Sequence, residues 1–274
     1  MKELSSILLI LSILLTVTPY IRASQTATTN TMSQGAEPKG ANKQLLDAIA
    51  EKDPQKWPTA IDAALQAGAD INFQAKDGTT PLRQAVRTGN TKIVETLLKN
   101  PTIDINLVDN QSLTPLMSAI VRNHKDIVSV LIKDPRINPN IQSNIGRNAL
   151  HLAVVSKNPE TLKLITGNVL ITKLNLSAKE KDGFTPLTMA KKLAEITKDK
   201  DQKLADVYKN MAAHLETAEK IQRDQIEGRK QALKELEDAG ATHMPSDLLE
   251  DGENDTFKLM EEYKSGGFGQ VYRN

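Results

Sequence analysis

The sequence predicts an all-α solenoid, built of helix–turn–helix units stacked side by side and closed by an elongated C-terminal helix. Three observations carry this. A short phrase returns four times, as Thr80-Pro81-Leu82, Thr114-Pro115-Leu116, Asn148-Ala149-Leu150-His151 and Thr185-Pro186-Leu187, at steps of 34, 34 and 37 residues. Each copy opens a stretch of apolar residues at helical spacing. The period is too short for a domain, but it suits one supersecondary unit that buries its apolar face only against its neighbours.

The N-terminus precedes the array. Lys2 is followed by the apolar run from Ile7 to Leu15, then Pro19, then the small pair Ala23-Ser24. Charge, short apolar core and small-residue site in that order are those of a secretory signal peptide over 1–23, cleaved after Ala23. The uncharged run from Leu4 to Ile21 sits at the low edge of what spans a bilayer, so an uncleaved membrane anchor is the alternative. Residues 24–40 are rich in Thr, Ser, Gln, Ala and Gly with almost no apolar content, which reads as a flexible linker. Apolar periodicity starts near Asn42 with Leu45, Leu46 and Ile49, resumes with Ile61, Ala64 and Leu65, and stops at Gly68. Trp57, beside Pro58, is expected to anchor this first unit.

From about Gln74 each unit repeats one grammar. A small residue (Gly78, Ser112, Gly146 or Gly183) stands three before the Pro position and permits a tight turn. Thr then caps the helix and Pro fits its first turn, where a missing N–H costs nothing. Leu82 and Ala85, Leu116 and Ala119, Leu150 and Ala153, and Leu187 and Ala190 point inward. A second helix carries an apolar stripe: Ile93, Val94, Leu97 and Leu98 in one unit, Ile127, Val128, Val130 and Leu131 in the next. Asn72, Asn106, Asn140 and Asn175 close the units. The fourth unit has extra residues around Asn168 to Lys173, expected as a longer loop.

After the last opening the pattern loosens, and Lys191 to Lys203 is highly charged. From Leu204 the residues Val207, Tyr208, Met211, Leu215, Ala218 and Ile221 recur at helical spacing, as expected of a helix that covers the open end of the stack. Gln222 to Glu237 is mostly charged: a solvated helix, or a coiled coil for a partner. Residues 241–274 read as a loose tail. The repeat domain is thus 41–200, with about five units at 41–73, 74–108, 109–142, 143–178 and 179–220, and 201–240 forms the cap and its charged extension.

Composition bounds the function. The 274 residues are 39% hydrophobic and 3% aromatic, with 35 Lys+Arg against 34 Asp+Glu. So even a balance argues against a nucleic-acid binder, which would carry a basic total. The chain has no Cys, which excludes disulfides, Cys-based zinc sites, thiol catalysis and an acylated lipoprotein cysteine. The four histidines, His124, His151, His214 and His243, form no metal-spaced pair, and no Ser-His-Asp or paired-carboxylate arrangement follows from their spacing. No metal, cofactor or enzymatic activity is expected.

One further motif stands at the C-terminus. Ser265-Gly266-Gly267-Phe268-Gly269-Gln270-Val271-Tyr272 resembles the Gly-rich phosphate loop of protein kinases. Lys264 occupies the position of the first Gly, and no Val-Ala-Ile-Lys, His-Arg-Asp or Asp-Phe-Gly segment follows. A Gly-rich loop cannot transfer phosphate without the groups that hold the metal and orient the nucleophile. A nucleotide-binding regulator or kinase remnant is the alternative reading from another class, and a membrane-tethered scaffold is a third.

The repeat grammar strongly resembles the ankyrin repeat family: its Thr-Pro-Leu-His-x-Ala opening, its Ile-Val…Leu-Leu second helix, and its Gly-Ala-Asp-Ile-Asn ending, present here as Gly68-Ala69-Asp70-Ile71-Asn72. The resemblance covers roughly Asn42 to the 190s. Arg83, Met117 and Thr188 depart from it where the family has His, so the bonds that His makes to the preceding turn are expected only at His151. The resemblance implies β-turn tips and first helices lining a concave groove that reads a partner protein. Carried over by motif, the tip positions are Lys76, Asp77 and Thr79; Asn110, Gln111 and Leu113; Asn144, Ile145 and Arg147; and Lys181, Asp182 and Phe184. Groove-facing helix positions are Arg87 and Thr88, Val121 and Arg122, and Val155 and Ser156. The expected surface is an apolar stripe of Leu113, Val121, Ile145, Val155 and Phe184 with a basic edge of Arg87, Arg122 and Arg147. The expectation is a monomeric, exported binder, periplasmic or secreted, of the kind that suits bacteria.

Overall fold

The computed structural model describes residues 40–167 and 174–238. Ten helices, and no strand, form among the described residues. They come in antiparallel pairs: α1 (Gly40–Ala50) with α2 (Trp57–Gln66), α3 (Pro81–Thr88) with α4 (Thr91–Leu98), α5 (Pro115–Val121) with α6 (Lys125–Lys133), α7 (Ala149–Val155) with α8 (Pro159–Thr166), and α9 (Pro186–Thr197) with α10 (Gln202–Asp238). First helices stack on first helices, α1 to α3 to α5 to α7 to α9, and second helices on second helices. Two layers result, and one continuous core lies between them.

The helix starts follow from the phrase. Oγ1 of Thr80, Thr114 and Thr185 and Oδ1 of Asn148 accept the backbone N–H three residues on, at 3.1, 3.2, 3.2 and 3.2 Å. Each bond satisfies a donor that the first helical turn leaves unpaired. Leu82, Leu116 and Leu150 and the Ala that follows each are all buried, whereas Leu187 is only half-buried, at the end of the row. Trp57 is buried in the first unit, as expected of an anchor, and its indole N–H finds no acceptor.

Before each first helix from α3 onward the chain makes a tight tip. In each, the first residue's N–H bonds the fifth residue's carbonyl: Ala75 to Thr79, Asp109 to Leu113, Ser143 to Arg147 and Glu180 to Phe184, at 3.0, 3.1, 2.9 and 3.0 Å. The small residue of each tip has positive φ: 73° at Gly78, 57° at Ser112, 78° at Gly146 and 82° at Gly183. Ser112 is the one that departs from Gly, and its Oγ donates to Asn144 Oδ1 at 2.6 Å. Tips also stack. A Cβ on Gly78 would lie 2.7 Å from Asn110 N, and one on Gly146 would lie 2.9 Å from Glu180 Cα, but one on Gly183 would meet nothing. The row of tips ends there.

The closing asparagines staple successive units. Asn72 Nδ2 donates to Thr102 O while its Oδ1 accepts from Asp104 N, both at 2.8 Å. Asn106 does the same to Arg136 O and Asn138 N, again at 2.8 Å. Asn140 Oδ1 accepts from Asn175 N at 2.7 Å.

The last pair differs from the reading of charge alone. α9 runs on to Thr197, through the stretch read as loosening, because Leu193 and Ala194 keep the apolar stripe going. α10 buries Ala205, Tyr208, Met211, Leu215 and Ala218 against α9 and α8. It is continuous through Gly228 to Asp238. Gln222 Nε2 still donates to Leu174 O at 2.7 Å, and the helix then extends about 24 Å further at 1.5 Å per residue. Ile221 and Ile226 are exposed on it. The expected leader at 1–23, the linker up to residue 39, the loop at Asn168–Lys173 and the tail from 241 lie outside the described residues. Among the described residues, no helix is long and apolar enough to cross a membrane.

Candidate protein-binding face

The tips and the first helices present one surface. Its tip row exposes Lys76 and Asp77, Asn110 and Gln111, Asn144, and Lys181 and Asp182, with Ile145 and Phe184 half-buried. Its helix side shows Arg87, Val121, Arg122 and Ser156, all half-buried, and Thr88, exposed. Fourteen of the eighteen positions carried over from the repeat grammar are thus wholly or partly accessible.

The other four need correction. Thr79, Leu113, Arg147 and Val155 are buried, with 5%, 3%, 3% and 7% of their surface left. Thr79, Leu113 and Arg147 occupy one repeat position, the fifth residue of the tip, whose carbonyl is held by the tip's own backbone bond. The next unit covers the side chain there, whereas Phe184, at the same position of the last described tip, is half-buried. Val155 ends α7 on the core side. The apolar stripe therefore reduces to Val121, Ile145 and Phe184, and Val121 and Phe184 themselves rest against the core.

Arg147 is spent inside the protein. Its Nε lies 3.8 Å from Glu180 Oε2, with both side chains enclosed, and has no hydrogen-bond partner. Burial pulls its pKa below the usual guanidinium range against the fields of Glu180 and Asp182. Glu180 also braces the last tip, accepting from Asp182 N at 2.9 Å. Asp109 has the same bracing role one step earlier, accepting from Gln111 N and Leu113 N at 2.9 and 2.8 Å.

Arg83, which departs from the family's His, supplies a different bond. Its Nη2 lies 2.5 Å from Asp109 Oδ2, and its Nε donates to Ser118 Oγ at 3.1 Å, both in the next unit. Met117 is buried in the core, and Thr188 forms a capping box with Thr185. His151 is expected to bond the preceding turn, but it reaches the following one. Its Nδ1 lies 2.7 Å from its own cap, Asn148 Oδ1, and Nε2 donates to Phe184 O of the following tip at 2.9 Å.

Two tip residues are partly engaged as well. Asn110 Nδ2 donates to Lys76 O and Asn144 Nδ2 to Asn110 O, both at 3.0 Å. Their amide nitrogens hold the row together, and Asn144 Oδ1 is also engaged by Ser112 Oγ. Asp77 accepts from Thr79 N and Oγ1 at 2.9 and 2.7 Å. Burial alone would raise its pKa, but the Thr79 bonds and then Arg83 and Arg87 outweigh it, and its carboxyl sits below the usual range.

The helix side of this face is basic, with Arg87 and Arg122 of the expected edge accessible and Arg147 removed from it by burial. α3, α5 and α7 contain no Asp or Glu, yet α3 carries Arg83 and Arg87, Arg122 caps α5 and exposed Lys157 follows α7. The outer helices α4, α6 and α8 mix both signs. This contrast between the layers shows once first and second helices are compared. Among the described residues no cluster of His, Asp or Glu could hold a metal ion.

Stacked helix pairs, a row of turn tips and an accessible inner face define a repeat scaffold of the binding kind. A family model described as ankyrin repeats (3 copies) matches residues 48–143 and 102–173, so the chain carries ankyrin repeats and its described residues form an all-α ankyrin solenoid. Repeats of this kind generally mediate protein–protein interaction. No curated protein matches the chain.

Proposed function

We propose that this chain is an exported binding module whose inner face takes a segment of a partner protein, without a catalytic step. The observation that carries it is the composition of that face. Arg87 and Arg122 end α3 and α5, helices that contain no acid, and half-buried Val121, Ile145 and Phe184 lie on the same row of tips and first helices. Apolar side chains that already rest on the core lose little freedom when covered, and Arg gives orientation through forked hydrogen bonds. The partner it suits is a protein segment with acidic groups flanking apolar ones.

The test is crosslinking capture of partners by the purified chain against two variants. Arg87→Glu with Ile145→Asp alters the face. Lys92→Glu with Lys133→Glu alters exposed residues of the outer helices. Partner recovery should fall at least tenfold for the first and hold for the second; equal capture by both variants would reject the face. Export rests on the leader at 1–23, and a mature chain starting at Ser24 by mass spectrometry is the expected result.

A further inference from the structure

The basic inner face has a counterpart in the chain itself. Residues 247–262 hold seven acids, Asp247, Glu250, Asp251, Glu253, Asp255, Glu261 and Glu262, against the single Lys258. Leu248, Leu249, Phe257, Leu259 and Met260 are interleaved with them. The whole chain has net charge +1, so this short stretch offsets an excess of cations elsewhere. Part of that excess is Arg87, Arg122 and Lys157 at the ends of α3, α5 and α7, three helices that hold no acid, whereas the neighbouring tips expose Asp77 and Asp182.

Placement agrees with charge. Second helices run back toward the side of the molecule from which the tips project. α10 does so too, since Gln222 bonds Leu174 O, in the segment leading to the last tip. α10 therefore delivers the chain to the tip side. From Asp238 to Asp255 the chain can span up to about 55 Å when extended, enough to turn back along the α10 extension and reach the tips. Tethering gives such a segment an effective concentration on the order of millimolar at the face, so a weak contact suffices.

We infer that residues 247–262 dock onto the inner face of their own chain and occupy it until a partner displaces them. The inference rests on the reading of that face as the binding site. Acids of the segment lie against Arg87, Arg122 and Lys157, and its Leu and Phe side chains cover Val121, Ile145 and Phe184. A partner must then outcompete a tethered acidic segment, and the contact weakens with salt because much of it is exposed charge.

The absence of Cys makes the test direct. Gln111→Cys on an exposed tip and Asn254→Cys in the acidic segment place a fluorophore pair on the full chain. Transfer efficiency is expected to be high in about 50 mM salt and to fall about twofold in about 500 mM salt, following the shorter screening length. It should fall as far with Arg87→Glu and Arg122→Glu together, and with Asp247→Asn, Glu250→Gln, Asp251→Asn, Glu253→Gln and Asp255→Asn together. Efficiency indifferent to salt and to both variants overturns the inference, and so does efficiency that rises with protein concentration, which would mark docking between copies. A synthetic peptide of residues 245–263, titrated against the full chain with the neutralised segment, separates the two readings. If it binds in a manner lost with Arg87→Glu and Arg122→Glu while transfer shows no docking, the face survives as an acidic-segment site and only self-docking fails.

Discussion

His151 sits between two units, with Nε2 on a carbonyl of the next tip and Nδ1 against its own helix cap, and it is fully enclosed. Burial pulls its pKa down to about 4, with the Phe184 bond opposing and Arg147 adding to the fall. The sign of the pH effect follows. Above the unfolded value near 6.5 both states are neutral and stability is complete. As pH falls from 6.5 toward 4 the unfolded chain takes a proton that the folded chain refuses, so stability drops by about 3 kcal/mol across that window. His124 and His214 are also lowered, chiefly by burial, and contribute in the same direction. Urea unfolding at steps between pH 7 and 4 should show this slope, reduced in His151→Gln, and the His151 ring proton should titrate below pH 5 by NMR. The structural part of this was legible: a His in that repeat position is expected to bond a turn. Which turn it bonds was not, because the acceptor belongs to the following unit, 33 residues away.

Among the tips and staples, the same residue type carries different weight by its place in the row. Gly146 and Gly183 share positive φ near 80°, so alanine costs about 1 kcal/mol of backbone strain at either. Only at Gly146 does the new methyl also meet backbone, at 2.9 Å from Glu180 Cα. Gly146→Ala should therefore lose about 2–3 kcal/mol and Gly183→Ala about 1 kcal/mol, read as a shift of the denaturation midpoint. Asn106→Ala removes two bonds to the next unit and should cost about 1–2 kcal/mol. The spacing of these residues was plain in the sequence. Their stacking was not, nor was the inward turn of Leu113 and Arg147. A period of 34 says which residues are equivalent, but an Arg at a tip reads as exposed until its ion pair with a buried Glu in the next unit is seen. Arg83 makes the same point: its ion pair with Asp109 joins residues that no local pattern connects.

Over the whole molecule, stability is a sum of units and the contacts between them, so the ends decide how the array opens. The N-terminal end is sealed by Trp57 with α1 and α2, and the C-terminal end by α10. Tyr208, Met211 and Leu215 are almost fully buried against α9 and α8, and His214 Nε2 lies 2.6 Å from Thr166 Oγ1 at the end of α8. Around Gln222 the described side chains leave the core, since Ile221 and Ile226 are exposed, and the sequence beyond is mostly charged. The cap is therefore the first half of α10, and the rest is an arm that the cap positions. Leu215→Ala should leave a cavity in the terminal layer and cost about 2–4 kcal/mol there. In a quasi-one-dimensional stack that loss stays near its origin. Amide hydrogen exchange in α8, α9 and α10 should quicken by about 30-fold or more, while α3 and α4, two units away, change little. Uniform acceleration across all helices would instead mean that the array unfolds as a single cooperative body. The end cap would then set the stability of the binding face itself, because α3 and α5, which carry Arg87 and Val121, could not stay folded once α10 lifted from α9.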